Sequence, residues 1–166
     1  IPPAAQCCNV TQATGRACGA VLDRAGNHAA ICPSGPFTVL RHEALADRWA
    51  DIFEEIGAVA RREAFSAPLS KPGEEAWLDV LVYGMPQYHR CMFDVTVRHP
   101  ADARYMPGAA ETEGHAAAKA GEEKDDKYPA AADLRVEPLA RESWGRLGKP
   151  AEAALLTCAA AATRMD

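Results

Sequence analysis

The sequence lacks three features that would each point to a particular class of protein. Its longest apolar run falls well short of the ~20 residues that a membrane span requires. No charged and then apolar leader opens the chain, so we expect no secretion. Basic residues are not in excess either, since 18 Lys and Arg against 23 Asp and Glu give a net charge of −5. A globally basic surface for nucleic acid is therefore excluded, and such binding would need a local patch or metal ions.

Large apolar side chains are also few, because alanine dominates the hydrophobic fraction. Of the 80 hydrophobic residues in the 166-residue chain, 35 are alanine, which leaves 45 larger ones to build a core. That number suffices for one compact core and not for two. We predict one main domain, residues 37–166, preceded by a small loop-rich unit over residues 1–36. The first residue is not methionine, which suggests a piece of a longer protein.

Four of the six cysteines crowd the first 32 residues, together with a histidine. Cys18, His28 and Cys32 follow the pattern C-x9-H-x3-C, and Cys7 and Cys8 lie upstream. Thiolate and imidazole groups are the ligands that zinc prefers in closed, tetrahedral structural sites. The tight C-x2-C spacing is missing, so the fourth ligand of a predicted zinc knuckle is either Cys7 or Cys8. Free thiols beside a surface histidine are the alternative.

Hydrophobic periodicity predicts an α/β fold with a small mixed sheet flanked by helices. Apolar residues recur at helical spacing from residue 38 to 56, and Gly57 follows where a helix C-terminus favours glycine. Valine, leucine and aromatic residues favour strands at 76–83 and 90–98, joined by a turn at 84–86. The remaining predicted elements are strands at 58–65 and 134–136, and helices at 109–128 and 150–164.

Two aspartates interrupt the most hydrophobic predicted strands. Large apolar residues flank Asp79 and Asp94, and a charge inside a buried strand is costly unless it is paired or bound to a metal. Neighbouring strands lie about 4.8 Å apart, so both carboxylates could face one Mg²⁺ or Mn²⁺ ion, which take oxygen ligands. Glu63, in the preceding strand, is a candidate third ligand. The alternative is that each aspartate caps a turn or pairs with an arginine such as Arg62 or Arg98.

Cationic residues occur at two further places where they could bind a phosphate group. Lys124 and Tyr128 share one face of the predicted second helix, and Lys127 lies one position away. An ammonium beside a metal-bound phosphate neutralises developing charge. Arg41 and His42 open the predicted first helix, where backbone N–H groups and a guanidinium could hold a phosphate. A solvated, charged helix face is the alternative at both places.

The order of these fragments resembles that of a known family. The run C-G-x3-D-x2-G-x-H-x3-C, which ends at Cys32, is followed by R-H, R-E, L-D-V-L-V, F-D-V-T-V and K-x2-K-Y. This order resembles the restriction-endonuclease-like domain of site-specific non-LTR retrotransposon polyproteins, which belongs to the PD-(D/E)xK nuclease superfamily. The resemblance extends from about residue 7 to residue 128.

The resemblance implies catalytic roles for individual residues. Asp79 matches the aspartate of the PD element, although leucine replaces the proline before it, and Asp94 matches the second acid. Threonine occupies position 96, where the superfamily commonly has lysine. The catalytic lysine is therefore implied to be Lys124 or Lys127, beside Tyr128, as in the retrotransposon branch.

The resemblance also implies an activity and partners. The implied activity is a metal-dependent endonuclease that nicks DNA, with Mg²⁺ or Mn²⁺ at Asp79, Asp94 and Glu63 and a structural zinc in the knuckle. Arg41 and His42 would contact DNA, or RNA as the alternative, and a reverse transcriptase would be fused or associated. The implied location is nuclear, away from any membrane. The rival hypothesis is a catalytically inactive nucleic-acid-binding module of the same fold, and a structural protein-binding domain is a third.

Overall fold

The computed structural model of the chain describes residues 7–12, 14–86, 88–128 and 135–164. These ranges contain four strands: β1 (Val59–Phe65), β2 (Trp77–Met85), β3 (Tyr88–Arg98) and β4 (Val136–Glu142). They form one sheet in the spatial order β1-β2-β3-β4. The first three strands are antiparallel neighbours, and β4 lies parallel to β3. The α/β class with a small mixed sheet, predicted from the sequence, is confirmed.

Helices accompany the sheet on both faces. They are α1 (Asn27–Ile31), α2 (Phe37–Glu55), α3 (Met106–Glu111), α4 (His115–Lys127) and α5 (Lys149–Ala162), with a 3-10 turn at Ala67–Leu69. α2 and α5 pack on one face, where they share the larger apolar cluster with Phe93 and Val95. α4 covers the opposite face, where Ala120 packs on Ala140 of β4. No helix within the described ranges is both long and apolar enough to cross a membrane.

α2 agrees with the helix predicted at 38–56 to within one residue at each end. It ends in a Schellman motif, since the N–H of Gly57 donates to the carbonyl of Glu54 at 2.9 Å and the N–H of Ala58 to that of Phe53 at 3.1 Å. Gly57 has φ +79, the left-handed conformation that this motif requires. Phe53 is fully buried and stacks on Phe93 of β3 with ring centroids 4.7 Å apart. This contact anchors α2 to the centre of the sheet.

Alternation along β3 decides which side chains face which helix layer. Successive strand residues point to opposite faces, so Phe93 and Val95 enter the cluster under α2 and α5. Met92 enters a smaller cluster on the other face, together with Tyr128 at the end of α4. Asp94 has the same parity as Met92 and therefore faces α4.

The single helix predicted at 109–128 is wrong, because the chain forms two helices there. α3 ends at Glu111, Thr112 is extended (φ −133, ψ 119), and α4 begins after Gly114, whose φ is +77. A left-handed glycine and an extended residue cannot continue a right-handed helix. Alanine-rich composition hid this break, because alanine favours helix on both sides of it.

Two sheet details also differ from the prediction. β4 extends to Glu142, well beyond the short strand predicted at 134–136, and Leu134 lies outside the described residues. Pro138 and the charged residues of β4 concealed its strand character, and an edge strand tolerates a proline. The connection between β2 and β3 is later than the predicted turn at 84–86, since Met85 already pairs with Tyr88.

Candidate functional site

A short hairpin and a one-turn helix bring three cysteines and a histidine together near the N-terminus. The N–H of Cys8 donates to Ala20 at 2.7 Å and its carbonyl accepts from Gly19 at 3.0 Å, which brings Cys8 beside Cys18. α1 supplies His28, and Cys32 follows its last residue. The group of Cys8, Cys18, His28 and Cys32 is called the Cys/His cluster below.

The four ligand atoms of the Cys/His cluster lie within 4.8 Å of one another. The sulfurs of Cys8 and Cys32 are 3.7 Å apart, and the sulfur of Cys18 is 3.4 Å from Nε2 of His28. Tetrahedral zinc with Zn–S bonds of about 2.3 Å would place two sulfurs about 3.8 Å apart. The cluster could therefore hold a metal ion, and its donors and spacing are compatible with structural zinc.

Of the two adjacent cysteines that the sequence left as alternatives, Cys8 belongs to the cluster. Cys8 is buried, whereas Cys7 is exposed and lies outside the group. A hydrogen bond from the backbone of Ala20, followed by one from Ser34, lowers the pKa of Cys18 to about 6. The Cys18 thiol is therefore largely ionised at neutral pH, as a metal ligand must be.

Asp79 and Asp94 lie where β2 and β3 stop pairing. The two strands pair as far as Val80 and Phe93. Asp79 and Asp94 would form the next pair, but they are not paired. The N–H of Val95 donates instead to the carboxylate of Asp79 at 2.6 Å. On the other side, Nε of Arg62 donates to the backbone oxygen of Asp79 at 3.1 Å. Side chain and backbone bonds thus fix Asp79 beside Asp94 between two diverging strands.

Two cationic side chains reach these aspartates from opposite faces of the sheet. From α2, Nε2 of His42 lies 3.2 Å from the carboxylate of Asp79 and 3.1 Å from the carbonyl oxygen of Val95. From α4, Nζ of Lys124 donates to the carboxylate of Asp94 at 2.7 Å. The side chain of Asp94 is 7% exposed and that of Lys124 19%, so this ion pair is largely shielded from water. Two acids and two cations therefore meet at one point of the fold.

Burial and charge shift the pKa values of this group in different directions. Burial raises the pKa of Asp94 to about 6, and its neighbour Asp79 adds to that rise while Lys124 opposes it. Burial, the largest single effect, would also raise the pKa of Asp79, but the hydrogen bonds from His42, Asp94 and the backbone of Val95, together with the charge of His42, outweigh it, and the pKa lies below its usual value. The same bond to Asp79 raises the pKa of His42 to about 9 against the opposing effect of burial. At neutral pH His42 is therefore protonated and donates to Asp79.

Glu63, the predicted third metal ligand, is not brought into this group. Its side chain is exposed, and it makes no hydrogen bond or ion pair with any other described residue. Among the described residues it is the only one other than glycine with a positive φ, +50, a conformation that costs about 1–3 kcal/mol. It stands at the β1 position that would pair with Asp79, where that ladder is also interrupted.

Neither Lys127 nor Tyr128, the other residues predicted around Lys124, reaches the aspartates. Nζ of Lys127 lies 4.9 Å from the ring centroid of Tyr128 and not on an aspartate. Tyr128 itself is buried in the smaller apolar cluster. Of the two candidate lysines, the structure thus brings Lys124 to the carboxylates.

The arginines considered as alternative partners of the aspartates bind other acids. Arg62 pairs with Glu43 at 2.6 Å and also with Asp47. Arg98 pairs with Glu123 of α4 at 3.3 Å. Neither guanidinium neutralises the carboxylate of Asp79 or Asp94, so Lys124 and His42 carry that role.

The prediction that Arg41 and His42 open a helix is wrong. α2 begins at Phe37, and its free backbone N–H groups belong to residues 37–39, since the N–H of Leu40 already donates to the carbonyl of Pro36 at 2.8 Å. Arg41 lies beyond them and donates through Nη1 to the carbonyl of Ala30 at 3.0 Å. The contact between His42 and Asp79 is a feature that sequence reasoning missed, because no spacing links two positions 37 residues apart. The only signal for His42 is the R-H pair of the resemblance.

Comparison with known proteins identifies no family for this chain. No protein-family model matches it, and no curated protein matches it. The Cys/His cluster does not by itself identify a family either. The resemblance to retrotransposon endonuclease domains therefore rests on the motifs of this sequence alone.

Proposed function

We propose that this chain is a metal-dependent endonuclease that cleaves DNA phosphodiester bonds, and that it is the nicking domain of a retrotransposon-type polyprotein. The observation that carries the proposal is the meeting of Asp79, Asp94 and Lys124 where β2 and β3 part. Structural ion pairs lie mostly at the surface, whereas here a nearly buried acid adjoins a second acid and has a raised pKa. Such perturbed carboxylates in close pairs are typical of functional sites. The link to a polyprotein and a reverse transcriptase is supported by the sequence resemblance only.

Asp79 and Asp94 would hold the catalytic Mg²⁺ or Mn²⁺. Two carboxylates from neighbouring strands suit Mg²⁺, which binds proteins through one or two carboxylates and keeps several waters. When bound, the ion would supply Lewis-acid stabilisation of the phosphate and a lowered pKa for a bound water. We assign no ligand role to Glu63, because its side chain is exposed.

Lys124 and His42 would act on the substrate phosphate as fixed positive charges. Phosphoryl transfer spreads negative charge over the phosphate oxygens, and positioned cations stabilise that charge. Lys124 is held by α4 on one side of the aspartates, and His42 by α2 on the other. Solvent screens the two positive charges only in part, because both side chains are less than one third exposed. Lys127 and Tyr128 have no assigned catalytic role in this scheme.

Zinc in the Cys/His cluster would be structural. Four protein ligands leave no open coordination position for a substrate. Of the described residues before α2, 7–12 and 14–36, only Cys8 and Cys32 are buried hydrophobic residues, so metal binding would supply much of the folding free energy of this part.

The proposal is tested by nicking of supercoiled plasmid in buffers that contain Mg²⁺, Mn²⁺ or no divalent ion. A chelator is avoided because it would also remove zinc. We expect nicking with Mg²⁺ or Mn²⁺ that Asp79→Asn abolishes, while Lys119→Ala, an exposed lysine of the same helix as Lys124, nicks as the wild type does. DNA binding without nicking under any cation would instead support the inactive binding module.

A further inference from the structure

A groove of about 400 Å³ lies between α1, the first turns of α2 and the end of β3. It adjoins the two aspartates, because His42 contacts Asp79 and also lines the groove. Besides two threonines, the polar part of its lining consists of Arg41, His42, Arg98, His99, Asp102 and Tyr105. Sequence spacing did not predict this group, since its members come from α2 and from the distant stretch 98–105.

Unpartnered polar atoms are concentrated on the residues that line this groove. Four buried side-chain nitrogen or oxygen atoms have no hydrogen-bond partner among the described residues, and three of them belong to residues of the groove lining. These three atoms are Nε of Arg41, Nε of Arg98 and the hydroxyl of Tyr105. A buried polar group without a partner costs about 1–3 kcal/mol, and more when it is charged. Three such groups around one groove indicate a ligand that accepts hydrogen bonds.

The remaining contacts of the two arginines hold their guanidinium groups in place. Nη1 of Arg41 donates to the carbonyl of Ala30 at 3.0 Å. Nη2 of Arg98 pairs with Glu123 at 3.3 Å. Tyr105 is only 5% exposed, so water has little access to its hydroxyl. The groove thus offers positioned donors, and not flexible surface side chains.

The charges that line the groove favour an anion. Arg41 and Arg98 face a single carboxylate of the groove lining, Asp102, which accepts the backbone N–H of Arg104 at 2.9 Å. Both ring nitrogens of His99 are already occupied, so this residue adds no donor. Arginine stays charged at all relevant pH values and matches the geometry of phosphate oxygens.

We propose that this groove binds a phosphodiester group of the DNA strand, other than the one that is cleaved, through Arg41, Arg98 and Tyr105. This inference rests on the proposed function for the identity of the anion as DNA. Arg98 follows Asp94 by four residues, about 13 Å along an extended strand. The groove therefore positions the strand beside the aspartates and does not take part in the bond cleavage.

The Cys/His cluster is connected to this groove through α1. α1 forms one wall and carries both His28 of the cluster and Ala30, the acceptor for Arg41. Asn27 at the start of α1 lies 3.0 Å, Oδ1 to Nε2, from the buried His99. Metal bound at the cluster would hold α1 against the sheet, and so would keep Arg41 in its place.

Binding of a short DNA duplex without added divalent ions tests the proposal, with fluorescence anisotropy as the readout. We expect Arg41→Ala and Arg98→Ala each to weaken binding by about 5–20-fold, and the double variant by less than the product, because both would contact one phosphate. In the double variant the slope of log K against log salt should fall by about 0.9, the value for one lost phosphate contact. Tyr105→Phe, which removes only the hydroxyl, should weaken binding about 3–10-fold with the salt slope unchanged.

Arg48→Ala is the matched control, since this exposed arginine of α2 pairs with Asp51 and Glu55 outside the groove lining. It should bind within about 2-fold of the wild type, as expected for a surface ion pair. Melting temperatures establish that each variant is folded, and Tyr105→Phe remains informative if an arginine variant is not. Wild-type affinity in folded Arg98→Ala and Tyr105→Phe would overturn the groove assignment while leaving nicking intact. Failure of the nuclease proposal would appear instead as absent nicking with this binding pattern retained.

Discussion

Nζ of Lys124 lies 2.7 Å from the carboxylate of Asp94, although the residues are thirty positions apart and α3 lies between their elements in the chain. Asp94 faces α4 because of strand alternation, and Lys124 lies in the last turn of that helix. Asp79 approaches from β2 at the position where pairing with β3 ceases. The site thus depends on one interrupted strand pair and on a helix packed across it.

Replacing Lys124 by alanine should abolish most cleavage without removing the metal site. Loss of a positioned cation at a phosphoryl-transfer centre typically costs about 100-fold or more in rate. Lys127→Ala should retain cleavage within about 3-fold, because an exposed cation outside the carboxylate pair is screened by solvent. Single-turnover nicking rates compare the two variants, and Mn²⁺ titration followed by electron paramagnetic resonance reports metal binding. A larger loss in Lys127→Ala would reverse the assignment.

His42 should make folding stability depend on pH in the neutral to alkaline range. Its pKa rises from 6.5 to about 9 on folding, so its stabilising contribution is complete below 6.5 and is lost as the pH rises through 9. The expected loss is about 1–2 kcal/mol, after allowance for the solvent that reaches the half-buried ring. Urea unfolding across this range, without added divalent ions, measures it. His42→Gln should flatten the profile, and an equally steep profile in that variant would assign the titration to another group.

Asp94 should make folding stability depend on pH in the acidic range. Its folded pKa of about 6 lies above the usual value of 3.8, so the protonated form is favoured by folding. The contribution is complete below 3.8 and is lost as the pH rises through 6. Asp94→Asn cannot ionise, and its stability relative to the wild type should therefore increase over this interval. Urea midpoints of both proteins decide the matter, and a constant difference would contradict the raised pKa.

Serine variants of the adjacent residues Cys7 and Cys8 test metal binding by the Cys/His cluster, each serving as the control for the other. We expect about one zinc per wild-type chain, retained in Cys7→Ser and lost in Cys8→Ser, because only Cys8 lies among the ligand atoms. Loss of one ligand typically destabilises a structural zinc site enough to unfold its loop. Metal analysis after purification without added zinc measures the content. Zinc loss from Cys7→Ser with retention in Cys8→Ser would reverse the ligand assignment.

Local patterns in the sequence were sufficient to predict α2, the three antiparallel strands and α5. Each has a clear hydrophobic period or a run of β-branched and aromatic residues. The break at Gly114 was missed because alanine-rich segments on both sides look equally helical. β4 was underestimated because Pro138 and its charged residues resemble a loop, and its strand character comes from parallel pairing with β3.

Individual residues of the candidate site were predictable from the sequence where their type is unusual for their position, but their contacts with distant residues were not. Asp79 and Asp94 were conspicuous because charges are rare in hydrophobic strands. The partnership of His42 with Asp79 was not predictable, since helix-to-sheet packing decides it. Similarly, adjacent residues such as Cys7 and Cys8 differ only in the face they present, which the hairpin register determines.

The central claim is that Asp79 and Asp94 bind the divalent ion required for DNA cleavage. Its most direct test is the rate of plasmid nicking by wild type, Asp79→Asn and Asp94→Asn over a Mg²⁺ titration, each protein being verified as folded. We predict Mg²⁺-dependent nicking by the wild type and a loss of about 1,000-fold or more in each variant, as for removal of an essential catalytic group. Mg²⁺-dependent nicking at the wild-type rate in both variants would contradict the claim.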